Sequence, residues 1–196
     1  MELAKWARAG RGLPLWSHRY QPRRIRSRER QAVRGIAVYP GSFDPITKGH
    51  TAILQSGLVA FEKIIVAVLN NDSKKPLFSV AERMEMIQES AVDMGADPNR
   101  IEVDSFDGLL VNYAQRRNAR VILRGLRAVA DFEYELQMAN MNRHLNPGVE
   151  TVFIMANDAY FYVASNLVKE VTRLGGNVAD LVPAPVLPRL LAKFDK

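Results

Sequence analysis

Three groups of residues carry side chains suited to holding phosphate. The first is the run Tyr39-Pro40-Gly41-Ser42-Phe43-Asp44-Pro45-Ile46-Thr47-Lys48-Gly49-His50. Its glycines allow close backbone approach and unusual φ. The run passes from a turn into the start of a helix, whose first N–H groups are unpaired and make an anion site. His50 falls in that first turn and can reach the same anion. The second group is the loop pair Lys74 and Lys75, and the third is Arg124 and Arg127 about Gly125. Arginine at both of those positions suits bidentate phosphate recognition better than lysine would. Each group also has an ordinary reading: a helix-capping histidine, a solvated lysine pair, a surface ion pair. Neither the GxxxxGK[ST] nor the GxGxxG spacing is present, so the site is neither a P-loop nor a dinucleotide fingerprint. No acid/base dyad accompanies the cations.

These groups need a frame that brings distant loops together. Ile36-Ala37-Val38-Tyr39 is a short apolar run ended by Pro40-Gly41, a buried strand followed by a turn. Residues 48–61 read as a helix, and residues 64–69 as a second buried strand. Ser79-Val80-Ala81-Glu82 is a capping box that opens a helix running to about Met94. A strand near 101–105, a helix over 107–118 and a strand at 121–123, ended by Arg124-Gly125, follow. Asp131 is expected to cap a helix reaching about His144, in which Met138 and Met141, three apart, read as core or subunit contact. A strand at 152–155, a helix over 165–174 stopped by Gly175-Gly176, and a short helix near 186–194 complete the chain. Five rounds of strand then helix predict an α/β, Rossmann-like, doubly wound five-stranded parallel sheet with helices on both faces. Such sheets bind ligands at the carboxyl ends of their strands, which is where the cationic groups lie.

The net charge of +6 misdescribes most of the 196 residues. Ten of the 27 Lys/Arg and two of the 21 acids fall in residues 1–34, giving that segment +8 and leaving 17 basic and 19 acidic residues, or −2, for residues 35–196. The division predicts a single domain over 35–196 with a basic N-terminal extension, disordered or weakly helical. Three readings of the extension stay open: a leader ahead of an internal start, a targeting or membrane-surface segment, and an RNA-touching tail. No apolar stretch follows its first charges as in a secretory signal, and no run approaches the roughly 18–20 residues that span a bilayer. The expectation is a cytoplasmic protein that needs neither membrane nor nucleic acid for its core activity. With no Cys and three His, thiolate and multi-histidine metal sites are excluded or disfavoured.

Thr47-Lys48-Gly49-His50 resembles the TxGH variant of the nucleotidyltransferase (H/T)xGH signature, in the form found in bacterial phosphopantetheine adenylyltransferases. The likeness continues through Ser73-Lys74-Lys75-Pro76, Gly108-Leu109-Leu110, Arg124 to Glu135, Met141-Asn142-Arg143-His144 and Leu167-Val168-Lys169-Glu170-Val171. It spans about 36 to 190, and the ordered set is far more specific than TxGH alone.

The resemblance implies transfer of the adenylyl group of ATP to 4'-phosphopantetheine, giving dephospho-coenzyme A and pyrophosphate. The acceptor phosphate, with a second pKa near ~6, is largely dianionic at neutral pH and needs no base. Catalysis then rests on positioning and positive charge. By position, the implied catalytic residues are His50, Lys74, Arg124 and Arg127. Ser42, Lys74, Leu110 and Arg124 are implied to hold phosphopantetheine. Ser42, Phe43, His50, Gly125, Leu126, Arg127 and Glu135 are implied to hold ATP, under a cover of Tyr160, Phe161, Tyr162, Val163, Ala164, Ser165 and Asn166. Magnesium is implied to ride on the ATP phosphates with no protein ligands of its own, and the assembly to be a homohexamer.

Two departures stand out. Family members commonly carry Thr at position 42, where this chain keeps only the hydroxyl of Ser. Val163-Ala164-Ser165-Asn166 replaces a pattern of Ile followed by three hydroxyl residues, so a single hydroxyl remains, on Ser165, which is expected to cap the helix that follows. Two other readings are open: a related nucleotidyltransferase with another phosphorylated acceptor, and a weakened paralogue whose basic tail binds RNA or anionic membrane.

Overall fold

The computed structural model describes residues 33–70, 75–126, 129–155, 160 and 162–194. The chain divides into units 1–31 and 32–196, and every described residue belongs to the second. That unit runs β1 (Val33–Gly41), α1 (Lys48–Ala60), β2 (Phe61–Leu69), α2 (Val80–Asp93), β3 (Ile101–Phe106), α3 (Leu110–Arg116), β4 (Val121–Leu126), α4 (Val129–Leu145), β5 (Glu150–Met155), α5 (Ser165–Arg173) and α6 (Val186–Ala192).

The strands form one parallel sheet in the order β3-β2-β1-β4-β5. The expected α/β architecture is thus present. Alternation along each strand sends side chains to opposite faces. Ala37 and Tyr39, with Ile64, Val66 and Leu123, join a core with residues of α1, α2, α5 and α6. Val38, Ile65, Ala67 and Ile122 point the other way and join Val111, Tyr113 and Ala114 of α3. Such runs read as unbroken apolar strands because both faces are covered. Among the described residues no buried side-chain nitrogen or oxygen lacks a hydrogen-bond partner.

The capping box of α2 forms as expected: Glu82 N–H donates to Ser79 Oγ at 3.2 Å, and Ser79 N–H to Glu82 Oε2 at 2.7 Å. Three local expectations need correction. β4 runs through Arg124-Gly125 to Leu126, because its pairing with β5 continues to Leu126↔Met155. α4 begins at Val129, so Asp131 lies within its first turn and is not its cap. Ala164, not Ser165, is the N-cap of α5, and the Ser165 hydroxyl instead donates to Pro45 O at 2.8 Å. A long-range partner has outcompeted the local cap in that last case.

Candidate functional site

The site originates in a divergence of two neighbouring strands. β1 stays paired with β2 as far as Gly41↔Val68, but its ladder with β4 holds only Ala37↔Val121 and Val38↔Ile122. Beyond Val38 the two strands part, at the point where the chain has turned from building one side of the sheet to building the other. Open α/β sheets place their ligand crevices at such switch points. Here a cleft of about 510 Å³ opens, lined by Ser42, Phe43, Gly49, His50, Arg124, Gly125, Glu135 and residues 163–166, among others.

His50 is set by the start of α1. Thr47, extended at φ −125°, is the N-cap and His50 is the third residue of the helix. The Thr47 backbone N–H donates to His50 Nδ1 at 3.0 Å, and the Thr47 hydroxyl lies 2.9 Å from the same nitrogen. Histidine thus takes the place of the Glu or Gln of a capping box. Because Nδ1 accepts, a neutral ring carries its proton on Nε2, which makes that nitrogen a hydrogen-bond donor. The ring meets Phe43 edge-on at 5.1 Å between centroids.

Two glycines make this packing feasible. Phe43 has φ +47°, a left-handed conformation uncommon outside glycine, and folds its ring over Gly41. A Cβ at Gly41 would lie 2.8 Å from that ring. A Cβ at Gly49 would lie 3.3 Å from Tyr160 O and 3.4 Å from Val163 O, so the glycine lets the backbone at Tyr160 and Val163 approach the first turn of α1.

Arg124 reaches the same cleft from β4. Its Nε donates to Glu135 Oε2 at 2.8 Å, its Nη2 to Glu135 Oε1, and its Nη1 to Pro40 O at 3.0 Å. A bidentate pair of this kind is strong and directional. Burial opposes the charge most strongly, but hydrogen bonding to Glu135 and attraction to Glu135, Tyr39 and Tyr134 together outweigh it and hold the guanidinium above its ordinary range. The Pro40 bond also spans the gap left where β1 and β4 part.

Sequence reasoning missed a set of braces beneath the cleft. Arg83 of α2 is only 2% exposed and donates through Nη1 to Ser42 O at 2.8 Å and Leu69 O at 3.3 Å, and through Nε to Ser79 O at 3.3 Å. Burial draws its guanidinium below the ordinary range, and the Asp44 carboxylate opposes that shift. Asp44, also buried, accepts from Leu77 N–H at 3.0 Å, Phe78 N–H at 2.9 Å and Lys169 Nζ at 2.6 Å. No local pattern announces these roles. Arg83 lies in a helix turn that reads as solvent-facing, and Asp44 and Lys169 are 125 positions apart. The only available signal was an aspartate flanked by apolar residues and proline.

The structure therefore brings Ser42, Phe43, His50, Arg124, Gly125, Glu135, Val163, Ala164, Ser165 and Asn166 to one cleft. Lys74, Arg127 and Phe161 lie outside the described residues. Leu110 packs beside the α3 core, Leu126 is buried at the end of β4, Tyr160 packs on the main core and Tyr162 is exposed; none of these four lines the cleft. Among the described residues no group of three His, Cys, Asp or Glu could hold a metal ion. None of the helices they form is long and apolar enough to cross a membrane.

Comparison with known proteins adds four findings. The family described as Cytidylyltransferase-like matches residues 38–171. A protein named phosphopantetheine adenylyltransferase from Anaeromyxobacter sp. (strain K) is 55% identical over 160 residues, covering 82% of this chain and 95% of its own. One of the same name from Caldanaerobacter subterraneus subsp. tengcongensis is 53% identical over 161 residues, covering 82% and 98%. Among solved structures, a putative nicotinate-nucleotide adenylyltransferase from Vibrio parahaemolyticus superposes with TM-score 0.59 at 14% identity, covering 82% of this chain and 96% of that one. At that identity the last likeness bears on the fold alone.

Proposed function

We infer the reaction from one premise: the chain belongs to the phosphopantetheine adenylyltransferase family of nucleotidyltransferases. It is a transferase that moves the adenylyl group of ATP to 4'-phosphopantetheine, a step of coenzyme A synthesis. An oxygen of the acceptor phosphate attacks the α-phosphorus of ATP. The bond from that phosphorus to the β-phosphate bridging oxygen breaks, and pyrophosphate leaves with the electron pair. A dianionic acceptor needs no base, which agrees with a cleft that offers cations, donors and helix ends.

The observation that carries this reading is the convergence of Ser42, His50 and Arg124 on the cleft where β1 and β4 part. His50 would donate from Nε2 to the α-phosphate as negative charge builds in the transition state, aided by the N–H groups opening α1. Arg124, kept charged and oriented by Glu135, would hold the acceptor phosphate with Ser42 and Lys74. Arg127 would take the ATP phosphates, and Val163, Ala164, Ser165 and Asn166, which line the cleft, would cover the nucleotide. Magnesium would arrive on the nucleotide phosphates and neutralise part of their charge. A cytoplasmic homohexamer is part of the same reading. The apolar surface that α4 leaves uncovered supports contact between copies.

The test is pyrophosphate release by the purified chain with ATP, magnesium and 4'-phosphopantetheine, beside nicotinate mononucleotide and glycerol phosphate as rival acceptors. Release with phosphopantetheine alone is expected. A folded protein that releases pyrophosphate only with a rival would overturn the acceptor assignment.

A further inference from the structure

The loop after β1 is bound to α5 at two adjacent residues. Pro45 O accepts from Ser165 Oγ at 2.8 Å, and Asp44 Oδ2 accepts from Lys169 Nζ at 2.6 Å. Ser165 and Lys169 are four apart, so they lie one above the other on a single face of α5. The same Asp44 carboxylate accepts the backbone N–H groups of Leu77 and Phe78. One side chain thus ties together three segments that follow three different strands: the loop after β1, the segment leading into α2, and α5 at its fifth residue.

This geometry bears on the cleft because residues 164–166, at the start of α5, form part of its wall, and His50 near the start of α1 forms another. Two helix N-termini therefore open onto one cavity, each contributing N–H groups and positive dipole ends. Their separation decides whether both can grip one polyphosphate at once. The Ala164 N-cap has no side-chain hydrogen bond to hold α5 in place. The Lys169 ion pair is mostly buried, with side-chain exposures of 24% for Lys169 and 7% for Asp44, so solvent screens it less than a surface pair.

We propose that Lys169 is a positioning residue, which acts through Asp44 to set the start of α5 against the start of α1 and so selects the triphosphate of the nucleotide. It touches neither substrate. The proposal rests on the adenylyltransferase reading for its choice of nucleotide, yet its test uses equilibrium binding and stands apart from turnover. Lys169→Met should weaken binding of ATP and of inorganic tripolyphosphate by about tenfold, an ordinary coupling for a buried contact pair. Binding of adenosine should not change. In turnover, KM for ATP should rise while KM for phosphopantetheine stays put, and Lys169→Arg should recover most of the loss.

Asp44→Asn distinguishes positioning from direct contact. If Lys169 works through Asp44, the Asp44→Asn variant weakens tripolyphosphate as much as Lys169→Met does, and the double variant is no worse than either. The proposal falls if folded Lys169→Met binds tripolyphosphate as wild type does. It falls if adenosine binding drops in parallel, since the effect is then general. It falls too if Asp44→Asn leaves anion binding intact or tightens it, since Lys169 would then meet the phosphate itself. Absence of phosphopantetheine turnover in the wild type would sink the acceptor assignment and leave the binding comparison standing.

Discussion

His50 carries two duties at once. Its Nδ1 completes the cap of α1, and that bond places the proton of a neutral ring on Nε2, the nitrogen to which the transition-state contact is assigned. Replacing it separates the two. His50→Ala should lower kcat by about 10²- to 10³-fold, the usual loss when one donor to a transition-state oxyanion is removed. Stability should fall by only about 1 kcal/mol, the worth of a helix cap. Pyrophosphate release and urea unfolding read the two effects independently, and an unchanged kcat would take His50 out of catalysis. At the same scale, Ala164 is an N-cap with extended backbone, φ −112° and ψ 142°, and no side-chain bond. Ala164→Ser should add about 0.5–1 kcal/mol by supplying the missing acceptor. A urea midpoint that does not rise would show that a serine hydroxyl there is drawn elsewhere.

At the scale of elements, α2 is the piece whose ends matter most, since it carries Arg83 beneath the cleft and opens with the Ser79–Glu82 box. Hydrogen bonds from Lys193 and from the Ser79 backbone lower the Glu82 carboxyl from 4.5 to about 2. The folded-state value lies below the unfolded one. The contribution is therefore whole above the unfolded value and is lost as pH falls through about 2. The pair with Lys193 is exposed and screened, so the sum is about 0.5 kcal/mol. Glu82→Gln should remove that part of the acid-side slope, visible in unfolding free energy measured between pH 5 and pH 2. The same slope in both proteins would place the acid sensitivity elsewhere. The junction of β1 and β4 is the other decisive element. Its ladder stops at two pairs, and Arg124 bridges the gap to Pro40.

At the scale of the whole molecule, α4 presents, among the described residues, a surface that the packing of this chain leaves unexplained. On α4 the polar Glu135 and Asn142 are buried, and Phe132, Tyr134, Leu136, Met138, Met141 and Leu145 are exposed. Tyr134, Met138, Met141 and Leu145 follow helical spacing, a stripe that a soluble chain normally turns inward. Met155 on the neighbouring edge strand is 69% exposed. An apolar area of this kind marks a contact surface, and in the proposed homohexamer a second copy covers it. Met141→Glu should shift the sedimentation profile toward smaller species, because burying an unpaired carboxylate at an interface is costly. An assembly of unchanged size would mean that this stripe faces some other partner.

Much of this protein follows from its sequence read locally. Strand runs such as Ile64 to Leu69 are apolar because both faces of a parallel sheet are covered, and Ser79 to Glu82 marks a helix start by its own chemistry. The spacing from Thr47 to His50 already places a ring nitrogen within reach of the cap, so the most informative residue of the cleft was legible beforehand. Tertiary structure alone decided which charges meet. Glu135 reads as a nucleotide contact and is found holding Arg124, while Arg83 stands in no motif, Asp44 and Lys169 stand in motifs without a role of their own, and all three brace the cleft. The physical reason is range. Periodicity and capping are settled within a few residues, whereas an ion pair across 125 positions exists only after the sheet has been assembled and its strands have parted.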